Sequence, residues 1–148
     1  MAIPFLPRGI RNHNPGNIRH GRSEWAGSAS TQPDPQFVVF TDAVFGLRAL
    51  MRLLLTHYRK FGLDSVESIL NRFAPPHENA TDHYIAAVTR EMRVTRRQPL
   101  NLENEYTLIA LSRAIVHYEN GKPDSGFDWY PDETYIEAAR LAFGKAER

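Results

Sequence analysis

Ala114-Ile115-Val116-His117-Tyr118-Glu119-Asn120-Gly121 is the stretch on which the reading of this chain turns. Upstream, Leu108, Leu111, Ser112 and Ile115 advance by threes and fours, the spacing that lines side chains along one face of a helix, and the next step on that face is Glu119. Asn101 caps this helix, Tyr106, Leu108, Leu111, Ile115 and Val116 carry its apolar stripe, and Asn120-Gly121 with Pro123 stops it. Glu119 thus stands at a helix end, on or beside the buried face. A carboxyl there, partly desolvated and at the negative end of the helix dipole, is suited to hold a proton and give it up. Breaking a glycosidic bond requires such a donor for the leaving oxygen. The same spacing also fits an ordinary surface glutamate closing a helix.

The rest of the chain supplies more helices around this one. Thr41-Asp42 offers an N-cap, and apolar residues at 44, 45, 47, 50, 51, 54, 55 and 58 keep helical spacing to a stop near Gly62. Asp64 or Ser65 caps a short helix through about Phe73, which Pro75-Pro76 ends. Asn79 or Thr81 starts a third, with Tyr84, Ile85, Val88 and Met92 on one side, and a last helix runs from about Asp132 to Phe143. Residues 8–40 are rich in Gly, Pro, Asn and Ser, and their strand-like run is Gln36-Phe37-Val38-Val39-Phe40. The expectation is a mostly α (α+β) single domain over residues 1–148, with about five helices and a small irregular β lobe near the N-terminus.

Composition narrows the function classes. At 148 residues the chain suits one compact core. Its 18 Lys and Arg against 17 Asp and Glu leave a net charge of +1, too balanced for a nucleic-acid footprint, although Arg90, Arg93, Arg96 and Arg97 cluster. With no cysteine, neither a disulfide framework nor a thiolate metal site arises, and the six histidines show no HExxH-type spacing, so no metal and no cofactor are expected. No N-terminal run is long enough for a signal peptide or a membrane span. A substrate in the periplasm or cell wall would therefore require delivery by a phage particle, a holin-type pore or a secretion system. A monomer is expected.

Other candidate site residues lie in loops. Asn12-His13-Asn14-Pro15-Gly16-Asn17-Ile18-Arg19 is a turn-former whose amides, at Asn14 and Asn17, suit the N-acetyl and hydroxyl groups of a sugar, and Trp25 offers a face for a pyranose ring. A ligand-free turn and a buried packing tryptophan would read the same way. Ala74-Pro75-Pro76-His77-Glu78-Asn79-Ala80-Thr81 fixes His77, Glu78 and Asn79 behind two prolines, which makes Glu78 the second candidate catalytic carboxylate. Asp34, between two prolines, is a further group that could hold a water.

Residues 8–19, Trp25-Ala26-Gly27, 37–40, Gly46-Leu47-Arg48-Ala49 and 74–84, resuming at 114–121, resemble a family of small phage virion-associated and secreted bacterial structural proteins. The order of features also resembles the lysozyme superfamily, especially glucosaminidase and lytic transglycosylase domains. There an Asn-rich turn precedes Trp-x-Gly, an aromatic strand, and a helix pair closed by a loop before a tyrosine. In those domains the catalytic glutamate ends a helix that comes before the turn, and here only about a dozen residues precede it. The 114–121 segment is similar to that helix end, so the resemblance implies a circular permutation, which nearby termini make cheap. It implies cleavage of the β-1,4 bond between N-acetylmuramic acid and N-acetylglucosamine in peptidoglycan. Glu119 would be the acid, Asn14, Asn17 and Trp25 the subsite residues, and Glu78, Asn79 and Tyr84 the far wall of the cleft. The competing reading is a non-catalytic phage virion or secretion-system component that binds glycan without cutting it. The permutation requires the end of the Glu119 helix to face the Asn14–Arg19 turn.

Overall fold

The structure is a computed structural model and describes residues 5–77 and 79–144. The described residues form six helices: α1 (Arg8–Arg11), α2 (Ala43–Phe61), α3 (Val66–Phe73), α4 (Thr81–Met92), α5 (Glu105–Asn120) and α6 (Asp132–Ala142). The chain is mainly α.

α2 forms where the apolar period demanded it. Asp42 Oδ1 accepts from the amide of Val44 at its start, and Gly62 ends it in the left-handed region at φ 66°. Its stripe of Val44, Leu47, Leu50, Met51, Leu54 and Leu55 is almost wholly excluded from solvent and makes the floor of the core. Ser65 and Ser68 close a reciprocal capping box at the start of α3.

Several expected boundaries shift. α5 begins at Glu105, capped by Asn104, whose side chain accepts from the amide of Thr107; Asn101 instead accepts from the amide of Glu103 in the preceding turn. With that start Tyr106 points away from Leu108, because two helical steps turn a side chain by about 200°, and it is 84% exposed rather than part of the stripe. α4 has Ala80 at its N-cap, and no side chain caps it. Thr81 turns its hydroxyl back to the carbonyl of Ala74 and ties the loop shut.

The expected β lobe is less regular than its aromatic run suggested. Isolated bridges join Arg19 to Phe37 and Ser28 to Phe40, and no strand runs longer than that among the described residues. Side chains hold this lobe together. Asn14 is fully buried: its Nδ2 donates to the carbonyls of Ile18 and Val38, and its Oδ1 accepts from the amide of Ile18, all at 2.9 Å. Asp34 accepts from Nε and Nη2 along one edge of the Arg8 guanidinium at 2.7 and 2.6 Å, together with Asn12 Nδ2 and the amides of Gln36 and Phe37. That arrangement, with Arg8 the main cause, holds the Asp34 carboxyl well below the usual carboxylate range.

Two glycines let the lobe sit down on the helices. A Cβ on Gly46 would overlap the carbonyl oxygen of His13, so the turn rests directly on the backbone of α2. A Cβ on Gly9 would meet Asn120 Oδ1, the Asn14 carbonyl and Asn17 Oδ1 within 2.5–2.9 Å. Gly9 is therefore the point where α1, the Asn-rich turn and the end of α5 converge.

Candidate functional site

α5 packs against α1, α2, α4 and α6, so the helix carrying Glu119 runs through the middle of the body. Its C-terminal end meets the Asn-rich turn directly. Asn17 Nδ2 donates to Glu119 Oε1 at 2.8 Å, and Asn120 Nδ2 donates to the carbonyl of Pro15 at 2.8 Å, bridging 102 and 105 positions of sequence. Asn17 can reach because it adopts the left-handed conformation, φ 50°, which asparagine tolerates better than most side chains.

On the other side of Glu119 lies Tyr84 of α4. Its ring stacks on Tyr118, centroids 3.9 Å apart, and its hydroxyl is buried without a well-formed hydrogen bond among the described residues. Burial first, and the neighbouring Glu119 carboxylate second, push the Tyr84 phenol well above its ordinary range, so it stays neutral and can serve as a proton-bearing neighbour of that carboxylate.

Glu119 opens into a pocket of about 410 Å³. One wall is the lobe, with Asn17, Arg19, Trp25 and Phe37; the opposite wall is the α2–α3 surface and the loop after it, with His57, Arg72, Phe73 and Asn79. The lining combines aromatic faces with amides and cations, the mixture that suits a ligand with apolar ring faces and polar edges. Among the described residues lining this pocket, Glu119 is the sole carboxylate.

The structure gathers most of the expected site residues, with exceptions. Glu119, Asn17, Trp25 and Asn79 line the pocket, and Tyr84 supports Glu119 from beneath without lining it. Asn14 does not face the pocket: its amide is consumed in folding the turn, so its role is to shape the loop that presents Asn17. Asp34 is likewise spent on Arg8 and has no part in the pocket wall. Glu78, the second candidate carboxylate, lies outside the described residues.

Phe37, His57, Arg72 and Phe73 also line the pocket, beyond the residues expected from the sequence. Phe37 stood in the aromatic run, but His57, Arg72 and Phe73 sit within helical stretches, and nothing in their local spacing distinguishes them from solvated or packing positions. His57 has its pKa lowered by burial and then by Arg72, so it is neutral near pH 7. The basic cluster has a structural use: Arg96 and Arg97 both pair with Glu67 of α3. Among the described residues no group of side chains is arranged to hold a metal ion, and no helix is long and apolar enough to cross a membrane.

No family model matches the chain. Protein P5 of Pseudoalteromonas phage PM2 is 39% identical over 132 residues, covering 82% of this chain and 81% of the phage protein. That kinship bears out the expected phage family and supports the phage-component reading more directly than the enzymatic one; it carries no mark of a lysozyme. The chain belongs to the same family of phage proteins as P5 of PM2.

Proposed function

We propose that the chain binds a peptidoglycan glycan strand in the Glu119 pocket and cleaves it, with Glu119 as general acid. The observation that carries this reading is the hydrogen bond from Asn17 to Glu119 at the mouth of an aromatic-lined cleft. A permuted lysozyme-like arrangement requires that juxtaposition, and the two residues are 102 positions apart in the chain. In this mechanism Trp25 and Phe37 stack on sugar faces. Asn17 holds one oxygen of Glu119, leaving the other for the proton passed to the glycosidic oxygen as positive charge develops at the anomeric carbon. Tyr84, neutral, steadies the carboxylate after the transfer.

Purified protein should release soluble fragments from peptidoglycan, and Glu119→Gln should reduce the rate at least about a hundredfold, the usual worth of a positioned proton donor. Full activity in Glu119→Gln would overturn the mechanism. The masses of the fragments read the second step. A product lighter by one water marks attack by the substrate's own hydroxyl, and a hydrated product makes Glu78, neighbour of the pocket residue Asn79, the carboxylate to test for holding the water.

The second reading, which kinship with a phage protein favours, is a virion component that holds glycan in the same cleft without cutting it. Retained glycan binding with no release by the wild-type protein is its signature.

A further inference from the structure

Two cations face each other across the pocket. Arg19 belongs to the lobe wall and Arg72 to the helical wall, and both line the cavity that holds Glu119. Each guanidinium lies over an aromatic ring, Arg19 at 5.1 Å from the centroid of Phe37 and Arg72 at 3.8 Å from that of Phe61. Stacking fixes the plane of a guanidinium while its N–H donors stay available at the edges. Five other arginines are occupied by carboxylates: Arg8 by Asp34, Arg59 by Glu103, Arg96 and Arg97 by Glu67, Arg113 by Asp128 and Asp132. Arg19 has no ion pair among the described residues. A second, shallower groove shares His57 and Arg72 with the pocket and continues past Phe61, Leu63 and Pro75. Arg72 therefore stands where a substituent leaving the main cleft would pass.

We propose that this cleft selects glycan carrying carboxylate substituents, which Arg19 and Arg72 bind from opposite walls, the groove beyond Arg72 taking the substituent. The proposal rests on the glycan reading of the pocket and adds its ligand class. A neutral sugar polymer gives the two guanidiniums no charge to pair with, whereas a carboxylate matches their forked donors. In peptidoglycan the carboxylate has two sources, the lactyl ether of muramic acid and the peptide attached to it.

The test is equilibrium binding to the Glu119→Gln protein, whose expected slow turnover leaves the probes intact, with three probes: a neutral N-acetylglucosamine oligomer, peptide-free glycan strands and peptide-bearing strands. Carboxylate-bearing strands should bind at least tenfold more tightly than the neutral oligomer. Arg19→Gln and Arg72→Gln should each reduce that preference several-fold, and added salt should erode it. Dependence on Arg72 with peptide-free strands assigns the lactyl carboxylate; dependence that appears only with peptide-bearing strands assigns the peptide. Equal affinity for all three probes, or equal losses on all three in the arginine variants, would overturn the proposal and leave the glycan reading standing. No binding to any probe, together with no fragment release by the wild-type protein, would overturn both. Both arginines are exposed, and unchanged thermal melts confirm that the variants fold.

Discussion

Between Pro7 and Phe40 the backbone finds many of its partners in side chains and isolated bridges, whereas from Ala43 onward it finds most of them inside helices. The first region is stitched by Asn12, Asn14, Gln32 and Asp34, with few apolar residues of its own in the core. The second is held by the aliphatic stripes of α2, α3, α4, α5 and α6 packed on one another. Aliphatic packing is roughly proportional to area and tolerates small changes, but a buried amide that is the sole partner of a backbone group leaves that group unpaired when it is lost. The cleft lies between the two regions, so its lobe wall depends on a few specific bonds and its helical wall on bulk burial.

The largest expected effects separate the regions directly. Asn14→Ala strands the amide of Ile18 and the carbonyl of Val38, while the Ile18 carbonyl keeps the amide of Val38, at a cost of about 4 kcal/mol. Leu54→Ala empties fully buried volume in α2, at about 3 kcal/mol. In hydrogen exchange the first should unprotect amides of residues 14–40 while those of α2 and α5 hold. The second should lower protection throughout and move the global melting temperature. Equal loss of protection in both regions for Asn14→Ala would erase the distinction.

Acid should act on the lobe first. The Asp34 carboxyl is held below its unfolded value, so its contribution is present above the ordinary carboxylate range and is lost as pH falls below about 4. Opening of the lobe, followed through the exchange of the Phe37 amide, should begin there, and Asp34→Asn should weaken the lobe at every pH and remove that acid dependence.

The smallest effect, of opposite sign, sits in the helical body. His117 of α5 is pinned between Glu91 of α4 at 2.8 Å and Asp128 at 3.2 Å, with Arg113 and Tyr135 also on Asp128. Burial alone would lower the His117 pKa, but Asp128 and Glu91 outweigh it and raise it. Its contribution is complete below about pH 6.5 and fades as pH rises through the raised value. A modest fall in melting temperature from neutral to alkaline pH, absent in His117→Gln, is the expected result. A lobe sensitive to base, or a body sensitive first to acid, would reverse the contrast.

What was legible in the sequence followed from local periodicity. The α2 stripe, its Asp42 cap and Gly62 stop, the Ser65 cap, and the run onto Glu119 each follow from spacing of three and four residues, because a helix satisfies its backbone within itself. The lobe was legible as turns but not as an architecture. Asn14 and Asn17 read alike, three positions apart in one loop, and only the fold decides that Asn14 is buried holding backbone while Asn17 reaches Glu119.

The sequence by itself determined that the chain is mainly helical, that Glu119 stands at a helix end on or beside its buried face, and that the N-terminal quarter is irregular. The tertiary structure decided that the irregular quarter lies against that helix end, that Asn17, Trp25, Arg19 and Arg72 share one cavity with Glu119, and that Asp34 is a clasp rather than a site residue. The physical reason is distance along the chain. A helix is set by contacts a few residues apart, whereas this cavity is assembled by the close approach of Gly9 to Asn120 and of Gly46 to His13, contacts that leave no period to read.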